Sequence, residues 1–159
     1  MNKKITKVVF NSDVDDWSHD TSVFDTKISN KSNLCFLIED TNNNKFGGVF
    51  TGFVKVTNKF VVNDNTFIFS LTRNGKFEQK KYQVRPKGGA FHLYSKNDQN
   101  KKLFAFGYGQ INDYDICVFK KGVNDNHCHQ HKFAAKEGDL IDGKTFTPKR
   151  IVVYQLVDN

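Results

Sequence analysis

The run His127-Cys128-His129-Gln130-His131 is the densest set of ligand-forming side chains in this sequence. In extended backbone, alternate side chains share a face, so His127, His129 and His131 would point one way and Cys128 and Gln130 the other. Neutral imidazoles at this spacing can share a divalent transition metal such as zinc. A further ligand would have to come from elsewhere, with His92, Asp125 and Asp139 as candidates. The competing reading is a solvent-facing polar edge or loop with Cys128 turned inward. The residues favour it, because no second ligand pair with zinc-like spacing accompanies the run. Cys128, set between imidazoles, is the thiol best placed to respond to redox, again weighed against a buried structural role.

Other chemistry is thinly represented. No serine or cysteine stands in a nucleophile-elbow context, so no catalytic residue is assigned and the expectation is a non-enzymatic protein. Cys35 and Cys117 lie in apolar runs and read as small buried hydrophobes. Gly107-Tyr108-Gly109 and Lys87-Gly88-Gly89 are glycine-rich but open no helix, so they read as turns or bulges rather than phosphate cradles. Asp13, Asp15, Asp16 and Asp20 surround the single Trp17 but lack the glycine and closing glutamate of a calcium loop, which favours a capped turn. No cofactor is assigned beyond the candidate divalent metal.

These residues must be positioned by strands. Lys7–Phe10 reads as a first strand, and Leu34–Ile38 as a strand buried on both faces. Phe46–Val56 reads as one long strand, and Thr66–Leu71 as another buried one. Asn74-Gly75 is a two-residue hairpin turn that folds Lys80-Tyr82-Val84 back on its predecessor. Further strand signals follow at Ala90–Tyr94, Leu103–Phe106, Asp115–Phe119 and Arg150–Val157. The only helix signal is Ser22–Ile28, capped by Asp20 or Thr21, with Phe24 and Ile28 on one face. Nine or ten strands with almost no helix between them exclude a parallel α/β fold. The fold class is therefore mainly β with a minor α+β component: a two-layer antiparallel β-sandwich with one or two short peripheral helices.

Size and composition agree with that. At 159 residues, the chain is long enough for one self-sufficient domain spanning residues 1–159. Its core is aromatic, with 16 Phe and 5 Tyr against one Met and one Trp. No apolar run is long enough to span a bilayer, no signal peptide is visible, and three unpaired-looking cysteines fit a reducing, cytoplasmic compartment, with a nuclear one as the alternative. The formal charge is +7, carried almost wholly by lysine. Scattered lysines keep a β-rich surface soluble and blunt edge strands, and that reading is favoured. Lysines beside aromatics at Lys59-Phe60, Lys76-Phe77, Lys80-Lys81-Tyr82 and Phe119-Lys120-Lys121 keep nucleic acid as the second partner class. Alternation directs most of those aromatics into the core.

Five blocks recur in a defined order: Asn11-Ser12-Asp13, Phe46-Gly47-Gly48, Asp64 before Phe67-Ile68-Phe69-Ser70-Leu71, Phe106-Gly107 with Asp115-Ile116, and Phe146 before Ile151-Val152-Val153. Together with Phe24, this ordered set is similar to the TLDc (TBC/LysM-associated, oxidation-resistance type) domain family over nearly the whole chain. The final strand carries Val152 where many members have glutamate, and the histidine run is unusual for the family. The resemblance implies a two-sheet sandwich acting as a binding or regulatory module. It further implies a link to oxidative-stress protection and a protein partner such as a subunit of the vacuolar proton pump (V-ATPase). It supplies no catalytic residues. The alternatives are a nucleic-acid-binding protein using the basic surface, and a metal- or redox-dependent activity at the histidine cluster.

Overall fold

The computed structural model, which describes residues 2–109 and 113–159, is built of antiparallel strands separated by polar turns. In chain order they are β1 (Lys3–Asn11), the helix α1 (Phe24–Ile28), β2 (Leu34–Asp40), β3 (Lys45–Phe50), β4 (Val61–Val62), β5 (Phe67–Arg73), β6 (Lys76–Gln83), β7 (Gly89–Leu93), β8 (Lys102–Phe106), β9 (Ile116–Phe119) and β10 (Pro148–Asp158). Six strands form one sheet in the order β1-β10-β2-β3-β5-β6, and four form a second in the order β4-β7-β8-β9. This is the expected two-layer sandwich. No helix among the described residues is long and apolar enough to cross a membrane.

Phenylalanine fills the space between the layers. Phe36, Phe46 and Phe50 from the first sheet and Phe91, Phe104 and Phe106 from the second are all buried. Phe36 lies 4.8–5.6 Å, centroid to centroid, from Phe91, Phe104 and Phe106. Each such ring removed from water contributes about 1.5–3 kcal/mol, so a handful of them dominate the stability. Phe24 of α1 joins the same core, 4.8 Å from Phe10 and 5.4 Å from Phe104. The glycines of Phe46-Gly47-Gly48 leave room for close packing within and between the layers. A Cβ on Gly48 would lie 2.6 Å from the Phe106 ring, and one on Gly47 would collide with the Phe36 carbonyl oxygen.

The chain departs from the sequence reading in a few places. Leu34, Phe36 and Ile38 of β2 are buried in the sandwich, while Cys35 and Leu37 face outward and are only partly covered. The long strand expected over Phe46–Val56 ends at Phe50, and the chain continues through short bridges at Val54 and Val56. The helix begins two residues later than expected: its N-cap is Val23, without a side-chain capping bond. Asp16 instead organises the preceding turn, accepting bonds from the Ser18 backbone N–H and from the Ser18 and Thr21 hydroxyls. Those bonds hold its carboxyl down to about 2. Asn74-Gly75 behaves as its residue types dictate, with φ of +50° and +81°, and joins β5 to β6.

Candidate functional site

Asp115 builds the corner that carries the histidines. It is fully buried just before β9, and its carboxylate accepts the backbone N–H groups of His131, Lys132 and Phe133 at 2.9, 2.9 and 3.2 Å. Burial pushes this carboxyl above its ordinary range, and the three donors oppose that shift. Gly107, with φ of +73°, leaves the space the carboxylate occupies, since a Cβ there would overlap the Asp115 oxygen. Gly109 likewise has no room for a Cβ against the His131 ring, and its N–H donates to the Asp113 carbonyl at 2.7 Å. The paired Phe106-Gly107 and Asp115-Ile116 blocks are thus one device that clamps residues 131–133 to the second sheet.

The clamp brings two of the three histidines together with an aspartate. His129 Nδ1 lies 3.1 Å from one Asp113 oxygen, and His131 Nε2 lies 3.7 Å from the other. The two imidazole rings are 4.3 Å apart. His129 holds the Asp113 carboxyl below its usual range. Glu137 is close to the other side of the His129 ring, 3.9 Å from Nε2, and the same oxygen accepts the Gln130 N–H at 2.7 Å.

His127 stands apart from this group. Its Nδ1 lies 2.7 Å from the Asp125 carbonyl, and its ring packs beside Tyr114 and Phe119. The chain there does not remain in one straight strand. His127 bridges Cys117 and Thr145, and the segment then bends to meet Asp115. None of the further ligands suggested by the sequence joins the group. His92 bonds the Thr57 carbonyl at 2.6 Å on another part of the sheet, Asp139 accepts the Lys136 N–H, and Asp125 stays with His127. Asp113 fills that role, and its signal in the sequence was its position two residues before Asp115, next to the clamp.

The thiols fall elsewhere. Cys128 is buried in the main core, and desolvation raises its pKa well above the ordinary thiol value. A reactive thiolate needs an electropositive, partly exposed setting, and the surroundings of Cys128 are the reverse. Cys117 is likewise buried and raised, and Cys35 is pushed up to about 12. All three are free.

Beside the histidines the outer face of the second sheet is hollowed. A cavity of about 470 Å³ is lined by Asp113, His127, His129, Tyr114 and Lys102, and an adjoining one of about 750 Å³ by Phe60, His92, Tyr94, Tyr108, Tyr114 and Lys102. Lys102 forms part of both. It is 93 % buried, donates from Nζ to the Tyr114 hydroxyl at 3.0 Å, and lies 5.2 and 5.0 Å from the Tyr94 and Tyr114 ring centroids. Burial raises the Tyr94 phenol. The other buried lysine, Lys120, differs: its ammonium group bonds the His19 and Lys96 carbonyls, and burial lowers its pKa.

The outer face of the first sheet has another character. Val49, Phe67, Phe69 and Leu156 form a cluster separate from the main core, with Cys35, Leu37 and Leu71 packed against it. All seven come from strands of that sheet itself. A groove of about 500 Å³ runs along it, edged by Gln79, Lys80 and Lys81. The Lys81 ammonium sits 4.1 Å over the Phe67 ring.

The TLDc domain model matches residues 2–157. The chain belongs to the TLDc domain family. A comparison with curated proteins finds no match. Within this TLDc domain the ordered blocks acquire physical roles. The Ser12 hydroxyl accepts the Ile151 N–H at 2.8 Å and the Ser12 N–H donates to the Ile151 carbonyl at 2.9 Å, which ties the first block to the last. Asp13 adds an ion pair to Arg150 at 2.9 Å. Phe146 packs edge-on against Phe46, 5.0 Å away, linking the fifth block to the second.

Proposed function

We propose that this TLDc domain is a non-enzymatic binding module that docks a protein partner on the outer face of its six-stranded sheet. The observation that carries the reading is the apolar groove over Phe67, Phe69 and Leu71, edged by Lys80 and Lys81. An apolar floor contributes affinity through burial, and a lysine edge selects an acidic flank on the partner and steers its approach. The occupant is a protein segment with an apolar face and carboxylates beside it. Family membership supports testing a vacuolar proton-pump subunit first, in the cytoplasm and in the setting of oxidative-stress protection. The test is affinity capture from native lysate followed by direct binding to the identified partner. Phe69→Glu with Lys81→Glu abolishes that binding in the proposed reading, while Asp113→Asn leaves it intact. Equal binding by both variants sinks it.

Nucleic acid is the second reading, and one observation favours it. Phe77 on the edge strand β6 is 70 % exposed, next to Lys76 and on the same strand as Lys80 and Lys81. Strand alternation would turn most such aromatics inward. An exposed ring on a basic strand can stack a base while the lysines meet phosphates. Binding to random single-stranded DNA with a steep salt dependence, weakened by Phe77→Ala, would support this reading. Absence of binding at low salt removes it.

A further inference from the structure

We infer that Asp113, His129 and His131 form a site for one divalent transition metal of the zinc class. The inference is independent of the docking face, which lies on the other sheet.

Ligand type and spacing carry it. Two imidazoles and a carboxylate are the donor set of open zinc sites, where three protein ligands leave a position for water or an exogenous ligand. Ligand atoms about 2.0–2.2 Å from a tetrahedral ion stand roughly 3.3–3.6 Å from one another. Here His129 Nδ1 and His131 Nε2 lie 3.1 and 3.7 Å from the Asp113 carboxylate, and all three ligand atoms fall within 4.8 Å of one another. Binding an ion therefore asks only that the side chains draw their ligand atoms, now within 4.8 Å of one another, to roughly 3.3–3.6 Å.

A second observation points the same way. His131 Nε2 is buried and has no hydrogen-bond partner among the described residues. A buried polar atom without a partner costs free energy, and a metal bond would satisfy it. The site is also held from behind. Asp115 fixes the backbone at His131, and Glu137, itself fixed by the Gln130 N–H, stands beside the His129 nitrogen that faces away from Asp113. A carboxylate in that position orients a metal-bound imidazole and strengthens it as a ligand. Asp113 and His129 also line the 470 Å³ cavity, so the remaining coordination position opens toward it.

Cobalt(II) titration of untagged protein tests this, because tetrahedral cobalt has a strong visible absorption and zinc displaces it. The expected result is one cobalt per chain, displaced by zinc. Asp113→Asn and His131→Ala each weaken cobalt binding by about 100-fold or more, and Glu137→Gln by about tenfold. His127→Ala binds as the wild type does. If His131→Ala fails to fold by circular dichroism, Asp113→Asn decides alone, since that side chain is 40 % exposed. No visible band at stoichiometric cobalt overturns the proposal. So does wild-type affinity in Asp113→Asn, or a loss in His127→Ala as large as that in Asp113→Asn.

Discussion

The two sheets turn opposite kinds of surface outward. On the six-stranded sheet the outward side chains Val49, Phe67, Phe69 and Leu156 are each less than a tenth exposed, with Cys35, Leu37 and Leu71 partly covered beside them and lysine at the groove's edge. The four-stranded sheet shows His92, Tyr94, Lys102 and Tyr114 around hollowed cavities, with Asp113 and His129 at the rim. The first face combines a mostly covered apolar floor with a lysine edge, which is the basis for proposing a macromolecular partner there. The second sets polar and aromatic side chains around concave cavities, a lining that suits a small ligand or ion. One sandwich keeps the two separate, because its phenylalanine layer insulates each outer face from the other.

Asp115→Asn should produce the largest separation between the faces. It removes a carboxylate that accepts three backbone N–H groups, and we expect a loss of about 3 kcal/mol in denaturant unfolding. Cobalt binding disappears with it, while partner binding on the opposite sheet survives below the lowered melting temperature. If partner binding fails as well, the two faces are coupled and the comparison breaks. Lys80→Glu with Lys81→Glu is the converse change. Partner affinity should fall at least tenfold, about 1.4 kcal/mol, in a direct binding assay, with cobalt affinity unmoved.

Lys102→Met sharpens the contrast through stability. The ammonium group is buried against two tyrosines, and no carboxylate among the described residues pairs with it. A flexible apolar side chain of similar length should stabilise the fold by about 1 kcal/mol, seen as a higher melting temperature. A marked destabilisation would mean that the Tyr114 bond outweighs the desolvation.

The smallest effect is a pH dependence. Burial lowers the His92 pKa below the ordinary 6.5. Below about pH 6.5 the unfolded chain takes up a proton that the folded chain resists, so stability falls as pH drops toward the lowered pKa and rises again with pH. His92→Asn should flatten that slope in pH-dependent unfolding, and Phe69→Ala on the other face should leave it in place.

Much of this was legible in the sequence, and the reasons are local. Asn74-Gly75 admits a left-handed turn, so the β5–β6 hairpin could be read directly. The ordered blocks declared the family, because each is a packing device: Gly48 under Phe106, Gly107 beside Asp115, Ser12 on Ile151. The end of β3 at Phe50 was not legible, since Val54 and Val56 continue the strand-like composition into a bridged loop. Alternation turns Cys128 inward within the histidine run, but its depth in the core depends on which sheet receives it.

The histidine corner shows the boundary most clearly. Alternation and residue type predict only that, in extended backbone, His127, His129 and His131 share a side, and that imidazoles there could bind metal. They could not choose between the three. That choice fell to Asp115, which bends the chain at His131, and to Asp113, which reaches His129 and His131 but not His127. Local sequence fixes backbone preference and donor chemistry, because both act over one or two residues. Which donors meet is a property of the folded sheets, because it depends on side chains brought together from separate segments of the chain.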